Sequence, residues 1–194
     1  MNVYDFDGTM YRGDSSVDFY LFSLRRHPSV IALWPRQVAA FFRYKARKCD
    51  KTEMKTVFFS YLQKISDIDS EVVLFWNSHE KKIYPWYREQ KRDDDTVISA
   101  SPEFLLGEIM KRLELAPPIG SRVDKKSGRF LGANCHDKEK VVRFREARGE
   151  AEIEEFYSDS RSDAPLAALA KRAYFIRKGK PEPWGEVVLL DEYR

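Results

Sequence analysis

Residues 3–9 read Val-Tyr-Asp-Phe-Asp-Gly-Thr, two carboxylates one residue apart between a short apolar stretch and a glycine. Alternate side chains of a strand share a face, so Asp5 and Asp7 start on the same side. The glycine at position 8 permits a turn that swings Asp7 away from Asp5. One strand end can then hold a nucleophile, a general acid and ligands for a hard divalent cation. Paired acids on a surface strand are more often simply solvated. The Gly-Thr that follows them favours a site.

Three further segments match, in order, what phosphoryl transfer needs. Asp93–Asp95 precede Thr-Val-Ile-Ser-Ala-Ser-Pro, a β-branched strand running into Ser99, with Pro102 placed to open a helix. Lys140 lies in Asn-Cys-His-Asp-Lys-Glu-Lys-Val-Val-Arg-Phe, near the start of a helical stretch. Ile153–Tyr157 form a strand that ends in Ser-Asp-Ser-Arg-Ser-Asp, which supplies Asp159 and Asp163. Each alone has a bland reading. A strand-end serine is often a helix cap, a lysine in a charged helix is usually solvated, and Asp163 could be the N-cap of the next helix. Their common order is harder to explain by chance.

Taken together, these motifs resemble the haloacid dehalogenase superfamily of aspartate-nucleophile phosphatases. The closest branch is the phosphoserine-phosphatase-like one, whose helical cap follows the first motif. The resemblance covers essentially the whole chain. It implies an α/β fold, a Rossmann-like three-layer core with a parallel sheet, carrying an inserted helical-bundle cap. It makes Asp5 the nucleophile, Asp7 the acid/base, Ser99 the second-motif hydroxyl and Lys140 the third-motif lysine, with Lys138 as the alternative. Asp159 and Asp163 match the fourth-motif acids. Asp14 stands where phosphoserine phosphatases carry a substrate-reading glutamate, so phosphoserine specificity does not carry over.

The implied chemistry is hydrolysis of a phosphomonoester. Mg²⁺, which favours oxygen ligands, would bind the carboxylates of Asp5 and Asp159 and the backbone carbonyl of Asp7. Asp5 would form an aspartyl phosphate, and Asp7 would protonate the leaving alkoxide and later take a proton from water. Ser99, Lys140 and backbone amides of the Phe6–Gly8 turn would hold the equatorial oxygens, with Thr9 and Ala100 in the same substrate-binding set. Arg12 and Asp14 are candidates for substrate contact. Asp163 would orient Lys140 or a metal-bound water.

The organisation expected is a catalytic core of residues 1–13 and 93–194 interrupted by a helical cap at 14–92. Within the cap, Val17, Tyr20, Leu21 and Leu24 make one apolar stripe. Met54, Val57, Phe58, Tyr61, Leu62 and Ile65 make an amphipathic helix, and Val72, Phe75, Trp76 and His79 continue the period in another. His79 reads as a packed histidine. Pro28, Pro35 and Pro85 mark turns or helix starts. After a helix over 102–115, a β-hairpin is expected, with strands 121–123 and 129–131 around a turn at Asp124–Gly128.

Composition fits one domain with an insertion: 194 residues, 43% hydrophobic. A net charge of +3 requires no nucleic-acid partner. Cys49 and Cys135 form no metal-binding spacing and suit a reducing compartment. Met1 stands too close to the first motif for a signal peptide, which implies a cytoplasmic protein. No apolar run reaches the roughly 18–20 residues of a spanning helix. Ser29–Tyr44, aromatic-rich and followed by Lys45, Arg47 and Lys48, has two readings. A cap helix packed on its neighbours is favoured over one lying on an anionic membrane surface. The expected substrate is a small soluble phosphorylated metabolite. The alternatives are a membrane lipid phosphate of the phosphatidylglycerophosphate kind and a non-catalytic phosphate-binding module.

Overall fold

Val3 and Tyr4 are fully buried on opposite faces of one strand. Val3 packs with Ile98 and Phe156, whereas Tyr4 packs with Val97 and Tyr157, so a single sheet separates two apolar layers. The computed structural model describes residues 1–185, and residues 186–194 of the expected core lie outside them.

The chain opens with β1 (Asn2–Tyr4) and then runs through five helices: α1 (Ser15–Arg26), α2 (Trp34–Lys45), α3 (Lys51–Phe59), α4 (Ile68–His79) and α5 (Pro85–Gln90). Short 3-10 turns at Pro28–Leu33, Ser60–Lys64 and Glu80–Lys82 link them. Strand–helix alternation then resumes with β2 (Thr96–Pro102), α6 (Glu103–Arg112), β3 (Ile119–Ser121), α7 (Lys138–Arg148), β4 (Ile153–Ser158), α8 (Ala164–Ala167), β5 (Ala170–Arg177) and β6 (Lys180–Pro183). The sheet order is β3-β2-β1-β4-β5-β6, parallel except for β6. Leaving β1, the chain builds one half of the sheet and returns to build the other. The β1/β4 boundary is therefore the topological switch point, where open α/β sheets bind ligands at their carboxyl ends. A ladder of stacked rings, Tyr4 on Tyr157 at 4.7 Å and Tyr157 on Tyr174 at 4.9 Å, ties β1, β4 and β5 together.

Local signals account for the helix starts. Asp14, Asp50 and Asp67 each accept a backbone N–H as N-caps, with Glu53 completing a capping box at Asp50. Pro28, Pro35 and Pro85 sit in the first turns of their elements. His79 stacks on Phe75 with ring centroids 4.2 Å apart, a packed position as expected. Trp184 packs on Phe156 and Phe175. Among the described residues no helix is long and apolar enough to cross a membrane.

Four expectations are corrected. The buried face of α1 is Ser16, Phe19, Tyr20 and Ser23, while Val17 and Leu21 are exposed. The Ser16 hydroxyl lies 2.9 Å from that of Ser101, so a polar contact at the sheet end sets the rotation of the helix. The stripe from Met54 to Ile65 is not one helix: α3 ends at Phe59 and tightens into a 3-10 turn that buries Tyr61 and Leu62. The hairpin reduces to a single antiparallel bridge between Val123 and Phe130, and the strand lies earlier, at Ile119–Ser121. Its turn presses on the end of α3, where a β-carbon on Gly128 would come within 2.2 Å of the Phe59 carbonyl oxygen. Finally, α2 packs only along a narrow seam. Ala40 is its one buried residue, and Gln37 accepts from the Tyr20 hydroxyl at 2.8 Å and donates to the Phe58 carbonyl at 3.0 Å. Most of the apolar side chains of Ser29–Tyr44 face outward.

Candidate active site

The short β1 hands the chain to Asp5, whose N–H donates to the Tyr157 carbonyl at 2.8 Å, holding it beside the end of β4. The chain then turns at once: the Phe6 carbonyl accepts the N–H groups of Met10 and Tyr11 at 2.9 Å. Gly8 takes φ +73°, a left-handed conformation open to glycine without cost. A β-carbon there would lie 1.9 Å from Asp159 Oδ2, so the turn and the end of β4 fit only with glycine. The Thr9 hydroxyl accepts the Asp159 N–H at 3.0 Å and fixes the other side of this junction.

Three charged side chains interlock below the turn. Lys140, buried in the first turns of α7, donates to Asp5 Oδ1 and to Asp163 Oδ2, both at 2.6 Å. Ser158 donates to the same Asp163 oxygen at 2.7 Å. Burial disfavours the Lys140 ammonium, but Asp5 and Asp163 outweigh it and hold its pKa above the ordinary lysine value. Lys138 is exposed at the start of the same helix, which distinguishes the two candidate lysines. Burial pushes the Asp5 carboxyl up to about 7 against the pull of Lys140, with Asp163 and Asp7 adding repulsion.

Asp7 is held by both oxygens, Oδ1 by the Ser15 N–H at 2.6 Å and Oδ2 by the Ser101 hydroxyl at 2.5 Å. Its carboxyl is pushed up to about 6, first by burial and then by Asp14, while the bonds from Ser101 and Ser15 oppose the shift. Ser99 is buried, and its hydroxyl oxygen accepts the Ser101 N–H at 3.1 Å.

Asp5, Asp7, Gly8, Asp14, Ser99, Ala100, Lys140, Asp159 and Asp163 line one cavity of about 660 Å³. The helices between β1 and β2 close it with Val17, Lys51, Met54, Lys55 and Phe58. Phe6, Thr9 and Arg12 are not on its wall. Phe6 is a core side chain packed against Tyr11 and Trp76, leaving only its backbone for the site. Thr9 braces Asp159 from below, and Arg12 is exposed outside the cavity. Asp14 is on the cavity wall, with its carboxylate also capping α1.

Sequence reasoning missed Ser101, Lys51, Lys55 and His136, all of which line the cavity. Lys55 reaches across to the core, donating to the Ala100 carbonyl at 3.0 Å and to Asn134 Oδ1 at 2.9 Å. Burial, helped by Lys51, lowers its pKa to about 8. Lys51 has no hydrogen bond or ion pair among the described residues and faces the cavity. The second serine of Ser-Ala-Ser was a legible signal for Ser101. Nothing in the sequence could place the two lysines.

The donor set suits a hard cation. Asp5, Asp7, Asp14, Asp159 and Asp163 bring five carboxylates to the cavity against the three lysines Lys51, Lys55 and Lys140, of which only Lys140 is interlocked with Asp5 and Asp163. This excess of negative charge, in a site that raises the Asp5 and Asp7 pKa values, fits a divalent ion with oxygen ligands. Among the described residues no three acidic, His or Cys side chains are gathered into a metal-holding group.

Residues 3–168 match the family model of the haloacid dehalogenase-like hydrolases. The chain belongs to that family. A 92-residue stretch is 34% identical to protein CicA of Caulobacter vibrioides, covering 44% of this chain and 41% of CicA. The chain thus matches less than half the length of the curated relatives it resembles. Among solved structures, a protein of unknown function from Bordetella pertussis Tohama I superposes with a TM-score of 0.77 at 17% identity, covering 100% of this chain and 95% of that one. A phosphoserine phosphohydrolase-like protein from Francisella tularensis gives 0.57 at 14%, covering 98% and 99%. A probable phosphoserine phosphatase from Vibrio cholerae gives 0.61 at 12%, covering 96% and 62%. At these identities the likeness establishes a shared fold.

Proposed function

We propose that this hydrolase is a Mg²⁺-dependent phosphatase that cleaves a small soluble phosphomonoester through an aspartyl phosphate on Asp5. The observation that carries the reading is Asp5 itself, buried at the switch point with Oδ1 bonded to Lys140. Among the described residues its Oδ2 accepts no hydrogen bond, leaving that oxygen for attack. Asp5 Oδ2 bonds to phosphorus as the bond to the leaving oxygen breaks. Asp7, with its pKa raised by burial, carries the proton that goes to the leaving oxygen. Water then attacks the phosphoryl group and Asp7 takes its proton, which releases phosphate and restores Asp5.

Lys140 neutralises equatorial charge and is itself aligned by Asp163. Ser99, the Phe6–Gly8 amides and Ala100 complete the cradle. Asp5, Asp159 and the Asp7 carbonyl would hold Mg²⁺, which supplies charge neutralisation between two anions and alignment for in-line displacement. The helices over residues 14–92 act as a cap that excludes water and reads the leaving group. The cavity size suits a small molecule. Free Cys49 and Cys135 fit a reducing compartment, and we place the reaction in the cytoplasm.

The exposed apolar side of α2 favours a second reading, the same reaction on a lipid phosphate. Phosphate release, measured with Mg²⁺ on a panel of soluble phosphomonoesters and on phospholipid monoester vesicles, separates the two. Release from a soluble compound, lost in Asp5→Asn, supports the first reading. Release from vesicles alone supports the second, and no release from any substrate contradicts both.

A further inference from the structure

Helix α2 presents a second apolar side that its packing does not use. Trp34, Val38, Phe41 and Phe42 recur at the spacing of one helix face, and Ile31 precedes them in the 3-10 turn. All five are exposed, Phe42 to 65%. The seam through Ala40 and Gln37, with a side-chain hydrogen bond between Trp34 and Tyr20, already holds the helix to the fold, and the outer side chains stay open to solvent among the described residues.

Charge is distributed unevenly around the same element. Between Asp18 and Asp50 the chain has seven Lys and Arg residues and no Asp or Glu. All seven are exposed, and Arg26 is paired with Glu71. The whole chain carries 34 basic and 31 acidic residues, so setting these seven aside leaves the remainder at −4. Lys45 stands over the Phe41 ring at 5.5 Å, a charged head beside an aromatic body.

We propose that α2 and the turn before it dock on an anionic lipid bilayer, with the apolar side chains at the acyl boundary and Lys45, on the same face, together with Arg47 and Lys48 just past the helix end, among the headgroups. Exposed aliphatic and aromatic groups gain from leaving water only where they can enter hydrocarbon, and the basic residues gain from anionic headgroups. A nucleic acid would use the basic groups but offers Ile31 and Val38 nothing. A second copy of this chain, paired about a two-fold axis, would set the same basic patch against itself.

Co-sedimentation of the full chain with vesicles tests this without any turnover, so its failure and failure of the hydrolase reading are distinguishable. Phosphatidylcholine vesicles with and without phosphatidylglycerol are the probes. Binding should be at least about tenfold stronger to the anionic vesicles. Phe41→Ser/Phe42→Ser, and separately Lys45→Gln/Lys48→Gln, should each weaken it roughly tenfold. Because these side chains are exposed and outside the cavity, melting temperature and turnover of a soluble aryl phosphate should be unchanged. Three results would overturn the proposal: no binding to anionic vesicles, wild-type binding by the Phe41→Ser/Phe42→Ser variant, or a concentration-dependent dimer or nucleic-acid complex that the same variant abolishes in place of vesicle binding.

Discussion

The carboxylate of Asp159 rests against Gly8 so closely that a β-carbon on the glycine would fall 1.9 Å from Oδ2. The turn after β1 and the end of β4 therefore share one tightly fitted position. Gly8→Ala must displace Asp159 or unwind a turn whose φ is +73°. We expect kcat/KM to fall at least about 100-fold, with a loss of Mg²⁺ affinity seen in activity titrations. A variant with near-normal turnover and Mg²⁺ response would separate Asp159 from the reaction.

Lys140 and Lys138 make a sharp contrast from one helix. Lys140→Met leaves Asp5 and Asp163 buried without their shared cation. Turnover should vanish, and unfolding free energy should drop by about 3–5 kcal/mol unless the carboxyls take up protons. Lys138→Ala, at an exposed position, should stay within about 0.5 kcal/mol of wild type in urea unfolding and keep its kinetics.

Lys51 faces the cavity with no partner among the described residues, on the helix that closes it. A substrate with an anionic or strongly accepting leaving group would bond to it. Lys51→Ala should raise KM roughly tenfold while kcat changes little, the result for a lost charge-assisted hydrogen bond made equally in ground and transition states. An unchanged KM across the substrate panel would make Lys51 a bystander.

Much of this site was legible in the sequence, because its strands announce themselves by short apolar runs ending in acids. Asp5, Asp7, Asp159 and Asp163 could be gathered into one site from the order of these motifs and their resemblance to a known family. Helix rotation was harder to read. Val17 and Leu21 look like a core stripe, but two serines with no apolar signal fix α1 against Ser101. Helix α2 is apolar on two sides, and periodicity cannot say which one packs. Lys51 and Lys55 reach the site only because α3 folds back over the sheet, a relation that no local pattern encodes.

Asp95, just before β2, is 1% exposed, and its Oδ1 has no hydrogen-bond partner among the described residues. Burial raises its pKa to about 6; the Arg92 N–H opposes this and Asp94 adds to it. The folded value exceeds the unfolded one, so ionisation costs stability. The contribution of Asp95 is therefore full below about pH 4 and lost as pH rises through about 6, by up to about 3 kcal/mol. Asp95→Asn, with no charge to bury, should show a smaller fall between those pH values in urea unfolding. An equal fall in both proteins would assign the pH dependence to other groups.

The central claim is the covalent step on Asp5. The direct measurement is acid quenching of the enzyme during turnover with Mg²⁺ and a labelled phosphomonoester, followed by mapping of the label. A phosphoryl group on the peptide that carries Asp5, formed fast enough to support turnover and absent in Asp5→Asn, is the result this account predicts. Turnover that persists in Asp5→Asn, or label that maps to another residue, would contradict it.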